Sequence, residues 1–197
     1  MDNAPTKEGF TEVEKGTYII GEHPLMTRDI SSCVCIAITN PYDSTKGMAH
    51  ILGEDFKNGR FKAGIDCLVD NYLAIIRKNI PCFRLCEAEA YVIGGDFNCN
   101  SELDEDVLVL LSYRNSGKAD EYLKKRGAEA RIVSGNKYAL KDVFLASNGT
   151  LRVKERITGR LGEEEAAVTY DEVMMGLAGG LANRKERREL RRELSLR

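Results

Sequence analysis

The stretch Cys33-Val34-Cys35-Ile36-Ala37-Ile38-Thr39, followed by Asn40-Pro41-Tyr42-Asp43-Ser44 and then Lys46-Gly47-Met48-Ala49-His50-Ile51-Leu52, decides the fold. Small and branched side chains alternate over 33–39, as in a strand with two different faces. Asn, Pro, Asp and Ser supply turn chemistry, and an extended pattern resumes over 46–52. The segment therefore reads as an antiparallel hairpin. Alternation sends Val34, Ile36 and Ile38 into a core, and Cys33, Cys35 and Ala37 to the opposite face, where small side chains leave room for a recess. Pairing centred on Pro41-Tyr42 would make Cys33 and His50 direct cross-strand neighbours, their Cβ atoms about 4.5–5.5 Å apart.

Outward from this hairpin the chain alternates strands with helices. Thr17–Ile20 is a short β-rich run ended by Gly21. Over 60–78, Phe61, Ile65, Leu68, Val69, Tyr72, Leu73 and Ile76 fall on one face at the helical period, and Pro81 limits that helix. Residues 84–93 read as a strand leading into Gly94-Gly95, and Val107–Leu111 as another. A short helix is expected over 116–126, ended by Gly127. Strands follow at 129–133, 140–146 and 150–157, the last two joined at Asn148-Gly149, a hairpin turn signal. The predicted fold class is α/β in the α+β sense: a layered sandwich of largely antiparallel or mixed sheet with flanking helices. Residues 1–15 are polar and aperiodic and read as a flexible N-terminus, residues 16–160 as the domain. Residues 161–197 read as a helical, basic tail. Tyr170, Val173, Met174, Leu177, Ala178 and Leu181 form a stripe there, and 183–197 hold seven Lys/Arg against three Glu. That charge pattern fits a solvated helix end, with a docking or lipid-surface helix as the alternative.

Composition limits the function. A length of 197 residues gives one domain that can bury its own core. The formal charge is -2 and the pI about 5.8, so the chain offers no overall positive field to a nucleic acid. No apolar run approaches the roughly 18 residues of a membrane span. Met1-Asp2-Asn3-Ala4-Pro5 has neither the basic start nor the apolar block of a secretory signal, so a cytoplasmic protein is expected. In that setting Cys33, Cys35, Cys67, Cys82, Cys86 and Cys99 are read as free thiols. Their spacing fits no zinc site. His23 and His50 are the only histidines. His23 precedes Pro24 and reads as a surface residue.

A thiol beside an imidazole is a nucleophile–base pair. A neighbouring imidazolium that lowers the thiol pKa by about two units would make the thiolate the major form at neutral pH. Attack on a carbonyl also needs donors for the oxyanion, and the backbone N–H groups near Ser31, Ser32 and Cys33 are candidates. A third group should orient the histidine.

At these residues the chain resembles a known family. Thr27-Arg28-Asp29-Ile30-Ser31-Ser32-Cys33-Val34, followed by Gly47-Met48-Ala49-His50, is similar to the signature of CheD, the bacterial chemoreceptor glutamine deamidase. Further likenesses follow in family order: residues 59–66, Glu89 to Gly95, Ser112 to Asn115, and Asn148-Gly149 before Leu151-Arg152-Val153-Lys154. Ser31 stands where Gly is common, and Val133 to Tyr138 carries one Gly where two are usual.

The resemblance, which spans about 17–157, implies a protein-glutamine amidohydrolase. Cys33 would attack a glutamine carboxamide to give a thioester. His50 would act as general base and acid, and Thr27 would hold His50. Ser31, Ser32, Gly94 and Gly95 would line the oxyanion and substrate site. No metal or cofactor is implied. The implied partners are the cytoplasmic helices of chemoreceptors as substrate and a CheC-type phosphatase as regulator, with neither nucleic acid nor membrane insertion. Two alternatives are a weakly catalytic or non-catalytic module that regulates such a phosphatase, and a deamidase of another protein.

Overall fold

The structure, a computed structural model, describes residues 9–95, 105–133, 139–157 and 165–169. Among them ten strands and three helices run in the order β1 (Thr11–Glu12), β2 (Tyr18–Gly21), β3 (Leu25–Ile30), β4 (Val34–Thr39), β5 (Lys46–Ile51), α1 (Gly53–Asn58), α2 (Phe61–Ile76), β6 (Glu89–Gly94), α3 (Glu105–Lys125), β7 (Ala130–Val133), β8 (Ala139–Leu145), β9 (Leu151–Ile157) and β10 (Glu165–Thr169). They form two mixed five-stranded sheets. One has the order β2-β5-β4-β6-β7 and the other β1-β3-β8-β9-β10. Pairing is antiparallel except for β1 with β3 and β6 with β7. The second parallel pair needs a crossover, and α3 supplies it.

The layers follow from alternation in β4, the central strand of the first sheet, which is buried along its whole length. Val34, Ile36 and Ile38 point to the helices and join Ile65, Leu68, Val69, Tyr72 and Ile76 of α2 in one core. Cys35 and Ala37 point the other way, into a second core with Leu25, Ile30, Val143 and Leu145 of the other sheet. The expected division of faces is therefore observed. The small residues, however, do not leave a recess. They let the second sheet pack directly against the first.

Helix α2 has no side-chain cap at its N-terminus, where Arg60 is already in helical conformation. Its stability comes from its buried stripe, in which each large apolar side chain contributes about 1.5–3 kcal/mol.

Several elements differ from expectation. Val107–Leu111 lies inside α3, which runs unbroken from Glu105. A short apolar run looks the same whether it is a buried strand or one side of a helix. The strand expected over 84–93 starts only at Glu89, after a 3₁₀ turn at Leu85–Glu87. β3 had no strand signature, because a bulge between Thr27 and Ile30 breaks its alternation. The stretch read as flexible over 1–15 contributes β1 and Val13, which is 1% exposed in the second core; residues 1–8 lie outside the described residues. So do residues 170–197, with the expected tail helix, and Cys99. β10 adds an edge strand within the segment assigned to the tail.

Gly94, the last residue of β6, has φ +90°. A Cβ there would come within 2.2 Å of Ile30 Cγ2 and 2.7 Å of the Cys33 carbonyl oxygen. The next amide, Gly95 N–H, donates to that same carbonyl at 2.7 Å. Gly94→Ala should therefore lower unfolding free energy by about 2–4 kcal/mol, through strain and overpacking together. The urea midpoint would drop accordingly, and an unchanged midpoint would contradict this packing.

Candidate active site

Cys33, Thr27 and His50 come from three consecutive pieces of chain that meet where the two sheets face each other. The hairpin register decides how. β4 and β5 pair Val34 with Ile51, Cys35 with His50 and Thr39 with Lys46. The turn is thus two residues longer in total than a hairpin placing Cys33 opposite His50. A two-residue change keeps every side chain on its expected face. Cys33 remains on the His50 side of the sheet, one pleat before Cys35, and the direct partner of His50 is Cys35. Diagonal positions of this kind have Cα atoms about 7–8 Å apart.

Burial separates the two thiols. Cys35 is 0% exposed, and its burial pushes the thiol pKa far up. It is a neutral packing group at any ordinary pH, as expected. Cys33 is half-buried at the margin of the second core, so it alone of the pair can meet a substrate.

His50 is 1% exposed. Its Nδ1 lies 2.7 Å from Thr27 Oγ1, and Thr27 Oγ1 lies 2.9 Å from the Val13 carbonyl oxygen. A carbonyl can only accept, so the single hydroxyl proton of Thr27 goes to Val13. Thr27 must then accept from His50, which places the imidazole proton on Nδ1 and the lone pair on Nε2. Nε2 is buried and has no hydrogen-bond partner among the described residues. It is a free basic nitrogen in a dry setting. Cys33 does not hydrogen-bond to it in this arrangement. In ligand-free enzymes such contacts are commonly long and tighten in the complex with substrate.

Burial lowers the His50 pKa from 6.5 to about 4, Lys15 pushes the same way, and Asp29 opposes them. The expectation of a resting imidazolium beside the thiol is thereby corrected. The ring is neutral at neutral pH and a weaker base than a free imidazole, and it does not pair with a preformed thiolate.

The loop that carries Cys33 is held at its carbonyls. Cys33 O accepts from Gly95, and Ser32 O accepts from Asn115 Nδ2 of α3 at 3.3 Å. Ser32 also lies against Gly53, where a Cβ would come within 2.8 Å of the Ser32 carbonyl oxygen. Ser31 is buried and Ser32 exposed. Gly94 and Gly95 pack closely against this loop and hold the Cys33 carbonyl. His23 is exposed, as expected. An open cavity of about 400 Å³ on the helix side is walled by His50, Tyr18, Leu52, Arg60 and Phe61, among others, and Cys33 is not one of its walls.

Sequence reasoning missed Val13 and Lys15 as parts of this site. Val13 had one available signal: it is an isolated branched residue just before the Gly16 turn. Asn115 falls in the Ser112–Asn115 likeness, read as a helix-entry turn or a substrate contact, but it lies inside α3 and donates to the Ser32 carbonyl. Among the described residues no group of three or more His, Cys, Asp or Glu could hold a metal ion, and no helix is long and apolar enough to cross a membrane. No protein-family model matches the chain, and no curated protein matches it.

The depressed His50 pKa links folding to pH. The unfolded chain binds a proton below about pH 6.5, while the folded chain refuses it until about pH 4. Stability is therefore highest above pH 6.5 and falls on acidification through that window, by up to about 3 kcal/mol from this group. His50→Gln should flatten the slope of unfolding free energy between pH 6.5 and 5, measured by urea titration at each pH. An unchanged slope would contradict the buried neutral ring.

Proposed function

We propose that the chain is a protein-glutamine deamidase of the CheD kind, with Cys33 as nucleophile, His50 as general base and acid, and Thr27 as the group that orients His50. One observation carries this reading. Thr27 spends its own proton on Val13 and so fixes the His50 tautomer that leaves Nε2 basic, on the sheet face that also bears Cys33.

In this reading a glutamine side chain enters at Cys33. Nε2 of His50 takes the thiol proton as sulfur bonds to the carboxamide carbon. The oxyanion is met by backbone N–H groups at Ser32 and Cys33. The imidazolium returns its proton to the departing nitrogen, ammonia leaves, and a thioester remains. His50 then takes a proton from water, hydroxide adds to the thioester carbon, and the thiol is released with glutamate. The balance is glutamine plus water giving glutamate plus ammonia. An imidazole with a pKa near 4 gives its proton up readily to the leaving amine, whereas taking the thiol proton is the step that burial makes costlier.

The resemblance in residues 27–50 supports cytoplasmic chemoreceptor helices as the substrate class and a CheC-type phosphatase as the regulator. Incubation with a receptor cytoplasmic fragment, followed by mass spectrometry, should show about +1 Da on particular glutamines. Cys33→Ala should abolish this conversion, His50→Ala should slow it by about 100-fold or more, and Thr27→Val by about tenfold. Conversion that persists in Cys33→Ala would reject the enzymatic reading. Tight phosphatase binding without turnover would favour a regulatory module.

A further inference from the structure

The two halves of the site are joined by a bulge. β3 pairs Leu25 with Leu145, Met26 with Phe144 and Thr27 with Val143. After one extra residue it pairs Ile30 with Lys141. In a regular strand, residues three apart face opposite sides of the sheet. The extra residue brings Thr27 and Ile30 to the same side, and both are fully buried there. Thr27 faces inward to hold His50. Ile30 faces inward to sit against Gly94, whose neighbour Gly95 holds the Cys33 carbonyl. The bulge thus sets the base-orienting residue and the nucleophile's loop in one frame.

Asp29 makes this bulge by taking φ +57°, the left-handed conformation, and is the one residue other than glycine to do so among the described residues. Three contacts secure it. Its N–H donates to Asp142 Oδ1 at 3.2 Å. Arg156 of β9 donates to the Asp29 carboxylate and, at 3.0 Å, to Asp142 Oδ1. One guanidinium group therefore bridges the bulged residue to the strand that the bulge faces.

We propose that Arg156 and Asp142 form a clamp that holds Asp29 left-handed, making Arg156 a positioning residue for the Cys33–His50 pair. This rests on the deamidase reading for its consequence, but its test does not need turnover. The readout is the ¹⁵N NMR signature of His50 in the full, histidine-labelled chain at pH 7, where a protonated Nδ1 and an unprotonated Nε2 report that Thr27 meets the ring.

Arg156→Gln should lose that pattern, as the Thr27→Val protein does, because Thr27 no longer meets the ring. Adding Asp29→Gly to Arg156→Gln should restore the pattern, since glycine adopts the left-handed conformation unaided. A second pair keeps the test sharp should Arg156→Gln fail to fold. Asp29→Ala and Asp29→Gly both remove the carboxylate, but only alanine resists the conformation, so Asp29→Ala should lose the pattern and Asp29→Gly should keep it. The same pattern in both members of that pair, or the wild-type pattern in Arg156→Gln, would overturn the clamp. Glutamine conversion by a Cys33→Ala protein that keeps the wild-type His50 pattern would instead reject the deamidase reading and leave the clamp standing.

Discussion

The Thr27 hydroxyl sits between the Val13 carbonyl and the His50 ring, and the rest of the site depends on it. Thr27 belongs to one sheet and His50 to the other, so this hydrogen bond crosses the interior of the sandwich. It satisfies two polar groups that burial would otherwise leave costly. It also assigns the histidine proton, and with it the side of the ring on which chemistry can occur. The price is a buried ring that resists protonation, which ties part of the fold's stability to pH.

The same interior explains why two cysteines only two residues apart behave differently. Both lie on the inter-sheet face of the chain around β4. Cys35 sits under the second sheet, and its thiol is locked neutral. Cys33 lies just before the strand begins, where the chain bends out from between the sheets. Gly94 and Gly95 fix that bend from one side and Asn115 from another. Access, not residue type, selects the nucleophile in the proposed chemistry.

Much of this was legible in the sequence. The alternation in 33–39 fixed both faces of β4 correctly, and the apolar stripe of 61–76 fixed α2. The hairpin pattern put Cys33 and His50 on one face, and Thr27, which does meet the His50 ring, came only from the family resemblance. The hairpin register was off by one pair because Asn40 to Thr45 can close a turn in more than one way, and composition does not choose between them. β3 was invisible because its bulge removes the alternation by which strands are recognised. The contribution of Val13 was invisible for another reason: a backbone carbonyl has no sequence signature. Long-range contacts such as Arg156 with Asp29, far apart in the chain, depend on sheet order and cannot be read from local pattern.

The most direct test is a ¹⁵N-detected NMR spectrum of histidine-labelled protein at pH 7. The account predicts that His50 shows a protonated Nδ1 and an unprotonated Nε2, and that this pattern holds down to about pH 5, with the Thr27→Val protein losing it. A proton on Nε2, or a ring that titrates near the ordinary histidine value of about 6.5, would contradict it.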